Sequence, residues 1–320
     1  MEELTTQDAP WSGLDGNGTS TGKAGPASSS SQTWALAFGL LTTGGLAMNF
    51  LLLALIAVKK LHKSTISSHF IGHLAFTNLV CCTLLLPPTV YDLWTGQQLV
   101  GQELLIRFIA FLTATVWSVT NFMVLCIAGV HLIAFARIHY DQLFGLSPCM
   151  ICCVSWVLAA VLCLPAVTNW SIAVYSEDYA SCVWALNADG LRFLTYFAVL
   201  SYAIPSIFML YAYSKILFML YRNPLVFEAL GLFRARWVVV CIMLSASYYV
   251  PLLVTWTWQG LPREYYLGAM LLAHGQVLVS PLLYALSLYL IKEEDMELVA
   301  RAHKTAVGAY THPGIASHQL

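Results

Sequence analysis

Apolar residues along this chain come in long blocks separated by short polar stretches. Seven blocks stand out, at about 33–58, 66–92, 104–136, 147–169, 190–220, 235–258 and 264–290, and each reaches the roughly 20 residues that a helix needs to cross a bilayer. The pattern predicts an all-α membrane protein, a bundle of seven transmembrane helices over 33–290. No apolar block opens the chain. "MEELTTQDAP" is acidic and polar, so no cleavable signal peptide is expected. Residues 1–32, rich in Gly, Ser and Thr, read as a disordered tail.

Composition narrows the class further. Of 320 residues, 59% are hydrophobic, 13% aromatic and only 10% charged, against about 25% charged in a soluble domain. A water-soluble chain this apolar lacks the polar groups to cover its surface, so the lipid bilayer is the first partner. The formal net charge is −1 and no basic block exists, so no nucleic-acid partner is implied. No Ser-His-Asp set, metal-ligand cluster or pair of intramembrane carboxylates is visible, so no enzyme, metal or cofactor is expected. Cys149, Cys152 and Cys153 have C-x-x-C spacing, but on a membrane-edge helix without histidine ligands.

Lys and Arg set the orientation. With the N-terminus outside, the cytoplasmic side holds 11 of them: Lys59, Lys60, Lys63, Arg137, Lys215, Arg222, Arg234, Arg236, Lys292, Arg301 and Lys304. The outside holds 4: Lys23, Arg107, Arg192 and Arg263. Positive charge is retained in the cytoplasm, which favours an extracellular N-terminus. Asn17-Gly18-Thr19 and Asn169-Trp170-Ser171 are then glycosylation sequons on the outer face.

Residues inside the blocks carry a more specific resemblance. Asn49 lies in the first block, and "HLAFTNLV" (His73 to Val80) places Asn78 in the second. Trp156 lies in the fourth, Pro205 and Tyr213 in the fifth, Pro251 in the sixth, and "SPLLY" (Ser280 to Tyr284) in the seventh. In this order they resemble the helix signatures of rhodopsin-like (class A) G-protein-coupled receptors, over about 33–303. The chain looks like an atypical, orphan-like member. The resemblance implies a plasma-membrane receptor that passes an extracellular signal to heterotrimeric G proteins. It also implies a short cytoplasmic helix over 291–303, with Glu293, Glu294 and Asp295 at its N-terminus, and a tail over 304–320. Pro205, Pro251 and Pro281 are expected to bend their helices.

The departures from the family are equally specific. Val130-His131-Leu132 stands where the family carries Asp/Glu-Arg-Tyr, so both charges are missing. A neutral imidazole donates one hydrogen bond and accepts one, but has no charged fork. His131 is thus either a hydrogen-bonded histidine at the membrane interface or a weakened microswitch. The resemblance places coupling and microswitch positions at His131, Arg137, Tyr213, Pro251, Pro281 and Tyr284. Tyr249 replaces the sixth-helix tryptophan, and Ser280 opens the seventh-helix motif. Arg234 and Arg236 have no facing carboxylate. A neutral polar core of Asn49, Asn78, Thr120, Gln276 and Ser280 is expected where the family binds sodium, with Asn121 and Ser245 as polar glue between helices.

Ligand-site expectations follow from the same architecture. The outer halves of the helices should hold a cavity lined by Thr113, Trp117, Phe197, Ser201, Tyr249, Leu253, Trp256, Met270 and His274. Thr113 stands where amine receptors carry aspartate, which argues against a monoamine. Arg107, Arg192 and Arg263 are expected near the mouth, together with Glu103, Glu177, Asp178, Asp189 and Glu264. "YASCVWAL" in the second outer loop can form a hairpin, and a peptide is the preferred ligand class. Cys182 in that loop lacks the usual cysteine near Ile106 and Arg107, so either the bridge is absent or Cys182 reaches Cys163. Two other classes stay open. One is a non-signalling or constitutively biased protein of the same fold, acting as scavenger or partner subunit. The other is a transporter, which lacks support from inverted repeats.

Overall fold

A computed structural model describes residues 28–99, 101–136, 138, 140, 145–169, 172–258 and 260–291. Asn17, Arg137 and most of the short helix expected over 291–303 lie outside the described residues. Seven helices are long and apolar enough to cross a membrane: α1 Ser29–Val58, α2 Ser67–Thr95, α3 Glu103–Phe135, α4 Pro148–Thr168, α5 Ala188–Arg222, α6 Leu232–Trp256 and α7 Arg263–Leu290. Their ends follow local chemistry. The Ser28 hydroxyl accepts from the Ser31 amide (3.2 Å) ahead of α1, so this helix begins four residues before the apolar block. Ser147 caps α4 in the same way (3.3 Å), with Pro148 in the first turn, where a missing N–H costs nothing. Gly96 closes α2 at φ 68°, a left-handed conformation suited to glycine.

Proline shapes three helices. A proline ring removes an amide donor and crowds the carbonyl one turn earlier, so the preceding turn widens or tightens. In α5 the chain widens to a π turn over Ala198–Ala203, just ahead of Pro205. In α6 it tightens to a 3-10 turn over Ala246–Tyr249, just ahead of Pro251. The Ala246 carbonyl in that turn accepts the Tyr202 hydroxyl (2.6 Å), so a neighbouring helix satisfies the disturbed backbone. Pro281 lies inside α7, which stays α-helical from Arg263 to Leu290. A further π turn, Cys81–Leu85 in α2, precedes Pro87 and Pro88 and was not foreseen.

The third helix is the axis of the bundle, with Ala114, Val119, Met123, Ile127 and Ala128 wholly enclosed. Two apolar clusters stack along it. The inner one joins Met123, Ile127, Tyr213, Ile216 and Ile242. The outer one joins Trp117, Trp184, Phe197, Tyr249 and Trp256. Leu40, Phe50, Val157, Ile207 and Tyr289 are exposed on the bundle's outside, as a lipid-facing surface requires. The first and seventh helices approach closely at Gly45, where a Cβ would stand 2.8 Å from both Cys82 Sγ and Val277 Cγ2.

Between α4 and α5 the second outer loop forms the expected hairpin. Strands β1 (Ala173–Ser176) and β2 (Ser181–Trp184) pair antiparallel, with Tyr175 opposite Cys182 and Ala173 opposite Trp184.

Candidate functional site

The outer half of the bundle holds a packed aromatic cluster. Trp117 of α3 lies at its centre, 5.4 Å from the Tyr249 ring, 6.0 Å from Trp256 and 5.6 Å from His274. The remaining free space bounded by Trp117, Phe197, Tyr249, Leu253 and Trp256 is about 10 Å³. The space is filled by Trp184, delivered from above by β2. Its ring meets Trp256 edge-on at 4.5 Å and stacks on Phe197 at 5.5 Å. The sequence reading singled out the strand but not this side chain. Trp184 lies two residues beyond the buried Cys182, so a period-two reading of the strand could have found it.

Of the other expected lining residues, His274 stands beside Trp117 and Met270 packs in the same apolar cluster. Met270 and His274 are buried, and His274 Nδ1 lies 3.4 Å from Cys81 Sγ. The Thr113 hydroxyl donates to its own helix at Ile109 O (2.8 Å). Ser201 is fully buried, and its hydroxyl finds no partner among the described residues. Arg107 does not reach the mouth: it is 6% exposed, and its Nη1 donates to Val167 O (2.7 Å), tying α3 to the end of α4. Arg263 does reach it, donating to Glu177 O and to Ser31 Oγ (3.2 Å each).

Side-chain hydrogen bonds from Tyr175 and Tyr179 hold the hairpin in place. Tyr175 donates to Asp92 Oδ2 on α2 (2.9 Å), while Asp92 Oδ1 accepts from the Leu99 amide (2.7 Å). Tyr179 donates to Thr255 Oγ1 on α6 (3.1 Å). The Cys182 thiol is pushed up to about 12 by burial and, secondarily, by the nearby Asp92 charge, so it stays protonated. Cys182 is a free thiol packed against Ala110 and Ile106 of α3. Cys163 is free as well, buried in α4 with its sulfur 3.6 Å from the Ser118 hydroxyl. Of the two alternatives, the bridge is absent, because apolar α3 side chains stand against Cys182.

Below the aromatic layer lies the polar core, and it is split in two. Asn49 Nδ2 donates to Val277 O (2.7 Å) and Gly45 O (2.8 Å). Asn78 Nδ2 donates to Asn49 Oδ1 (3.0 Å) and Ser280 Oγ (2.9 Å). Gln276, expected in this network, instead donates to the Tyr249 hydroxyl. Thr120 is buried with its hydroxyl unpartnered among the described residues. Asn121 and Ser245 face a separate cavity of about 30 Å³ with Tyr249 and Gln276. A pocket of that size and polarity has room for a water.

At the inner end, His131 is buried among the helices, 1% exposed. Its Nδ1 shares a hydrogen bond with the Tyr213 hydroxyl of α5 (3.2 Å). Tyr284 is buried too, with its hydroxyl unpartnered among the described residues. Arg236 lies 4.2 Å above the Phe233 ring and donates to the Phe233 carbonyl, so an aromatic face replaces the absent carboxylate.

A seven-helix bundle with these signatures in register agrees with comparison against known families. The family model "7 transmembrane receptor (rhodopsin family)" matches residues 48–284, well over half of the chain. The chain belongs to the rhodopsin family of seven-transmembrane receptors. No curated protein matches the receptor closely.

Within this receptor, Asn78 stands where the resemblance implies a sodium-binding carboxylate, and its partners Asn49 and Ser280 are neutral. A desolvated cation held without an anion lacks the compensation that burial demands. Raising sodium at constant ionic strength is therefore expected to leave the thermal stability of the purified receptor unchanged. A stabilising shift that Asn78→Ala abolishes would show the expectation to be wrong. The receptor's second sequon is also constrained: Asn169 Nδ2, the atom that a glycan would take, donates to Asp189 Oδ2 (3.4 Å).

Proposed function

We propose that this receptor carries an extracellular signal, a peptide by preference, across the plasma membrane to heterotrimeric G proteins, with its N-terminus outside. Membership of the rhodopsin family carries the reading. The Lys and Arg asymmetry supports the orientation. The hairpin over the bundle, flanked by exposed Arg192, Glu177 and Asp178, supports a peptide. The ligand acts at the outer level of Trp117, Tyr249, Trp256 and His274. The inner contact is organised by His131, Tyr213 and Tyr284. A scavenger or partner subunit of the same fold is the second reading, favoured by the missing charges at Val130-His131-Leu132.

Nucleotide exchange on G proteins in cells expressing the receptor separates the two. His131→Arg is expected to raise basal exchange more than His131→Ala lowers it, because arginine supplies a permanently charged donor fork at the inner face. Val130 cannot neutralise that charge, so expression should fall. Val130→Asp added to His131→Arg should reduce the basal signal by restoring a pair. His131→Ala leaves the buried Tyr213 hydroxyl unpaired, at a stability cost of about 1–3 kcal/mol, with little effect on coupling. If His131→Ala alone silences a measurable signal, the histidine is itself the G-protein contact. If no variant signals, the scavenger reading replaces this one.

A further inference from the structure

The aromatic cluster contains a chemical inconsistency that points to a guest. Buried tryptophans normally place their N–H on an acceptor, because an unpaired buried donor is costly. Here the indole N–H groups of Trp117, Trp184 and Trp256 are all buried, and none has an acceptor among the described residues. The three belong to one contact set, with ring separations of 6.0 Å between Trp117 and Trp184, 6.0 Å between Trp117 and Trp256, and 4.5 Å between Trp184 and Trp256. Two of these rings come from the bundle. The third comes from a loop strand held by side-chain bonds from Tyr175 and Tyr179.

We propose that Trp184 is the resident occupant of the receptor's ligand seat, and that the ligand is a neutral aromatic group bearing a hydrogen-bond acceptor, which takes the place of this ring. The proposal rests on the reading of the outer half as the ligand site and assigns its chemistry. Aromatic shape follows from the walls: Trp117 and Trp256 with Phe197 enclose a flat ring on three sides. Neutrality follows from the remaining free space there, whose lining includes no charged side chain. The acceptor follows from the indole N–H groups of Trp117 and Trp256, which the indole of Trp184, itself only a donor, leaves unpaired. A peptide supplies both features when an aromatic side chain enters beside its own backbone carbonyl. The seat is also tied to α6, through Tyr179 on Thr255 and Trp184 on Trp256, so an exchange of occupant acts directly on the helix that carries Tyr249.

The test uses the purified full-length receptor and two small probes, indole and 7-azaindole, which has the same shape plus an acceptor nitrogen. Trp184→Ala is expected to lower Tm by about 5–10 °C, as the loss of a large buried ring does. Millimolar indole should recover much of that loss by filling the emptied seat, and 7-azaindole should recover more. Neither probe should shift the wild type, whose seat is filled. The proposal is overturned if Trp184→Ala leaves Tm unchanged, if the probes act equally on wild type and variant, or if 7-azaindole does no better than indole. Should Trp184→Ala yield no folded protein, Trp184→Leu leaves a smaller vacancy, and benzene and pyridine replace indole and 7-azaindole under the same criteria. Nucleotide exchange measured on the same variants keeps the two readings apart. A seat that binds the probes in a receptor that never activates a G protein removes the signalling role and leaves the seat.

Discussion

Replacing Gly190 by alanine is expected to destabilise the receptor by about 3 kcal/mol, the upper end of what overpacking usually costs, and to pull Trp184 away from its aromatic neighbours. Gly190 sits in the first turn of α5, and its amide donates to the Asn187 side chain that caps the helix (2.7 Å). A Cβ there would stand 1.9 Å from the Ala185 carbonyl oxygen and 2.8 Å from its carbon. The obstacle is backbone, which cannot rotate away as a side-chain end can. Ala185 follows Trp184 directly and closes the hairpin through its amide on Ile172 O (2.7 Å). The displacement therefore passes into the strand that holds the indole. Thermal unfolding checks the magnitude, and a red shift in tryptophan emission checks the loss of packing. Gly275→Ala is the control: nothing lies within 4 Å of its Cβ position in α7, so the better helix propensity should leave stability equal or slightly higher. Equal effects at the two glycines would refute the close approach.

Asn49→Ala should cost about 2–3 kcal/mol, because one side chain makes three buried hydrogen bonds, two of which cross from α1 to α2 and α7. Removing it leaves the Val277 carbonyl without this donor and Asn78 Nδ2 without one of its two acceptors. Asn49 and Asn78 are 0% and 1% exposed, so the groups left behind have no direct contact with bulk solvent. A double-mutant cycle with Asn78→Ala should return a coupling of about 1 kcal/mol, reflecting the bond that the two amides share. Strict additivity in that cycle, measured by Tm in detergent, would mean that the two amides are not joined.

The seven spans and their approximate ends were legible because each depends on properties of one continuous segment. Hydropathy over about 20 residues decides whether a helix can lie in lipid. Ser28, Ser147 and Gly96 act on the turn beside them. Proline acts within one turn, so the disturbances at Pro205 and Pro251 were readable, as was the general place of the hairpin. Cys182 shows the limit of this logic: the sequence left two outcomes open, and only the packing of Ala110 and Ile106 against the sulfur selected a free thiol.

At the expected outer site Trp117, Phe197, Tyr249, Leu253 and Trp256 surround about 10 Å³ of free space. Nine residues from four helices were placed at one level by counting along each helix. Counting does not reveal that a tenth, Trp184, descends from a loop and fills the space between them. Similarly, Gln276 was grouped with Asn78 by its level in the bundle, whereas its rotamer turns it to Tyr249. His131 was read as a hydrogen-bonded histidine or a weakened switch, and only the fold supplies its partner, Tyr213, 82 residues away.

The sequence by itself thus determined the class, the number and order of spans, the likeness to a receptor family and the neutrality of its core. These are sums over local composition, or identities at fixed positions, and no folding changes them. Only the tertiary structure decided which polar groups meet, where the loop puts its tryptophan, and which donors stay unpaired. Those outcomes depend on distances between segments remote in the chain, and a shift of one rotamer or one strand position changes the partner without changing any residue.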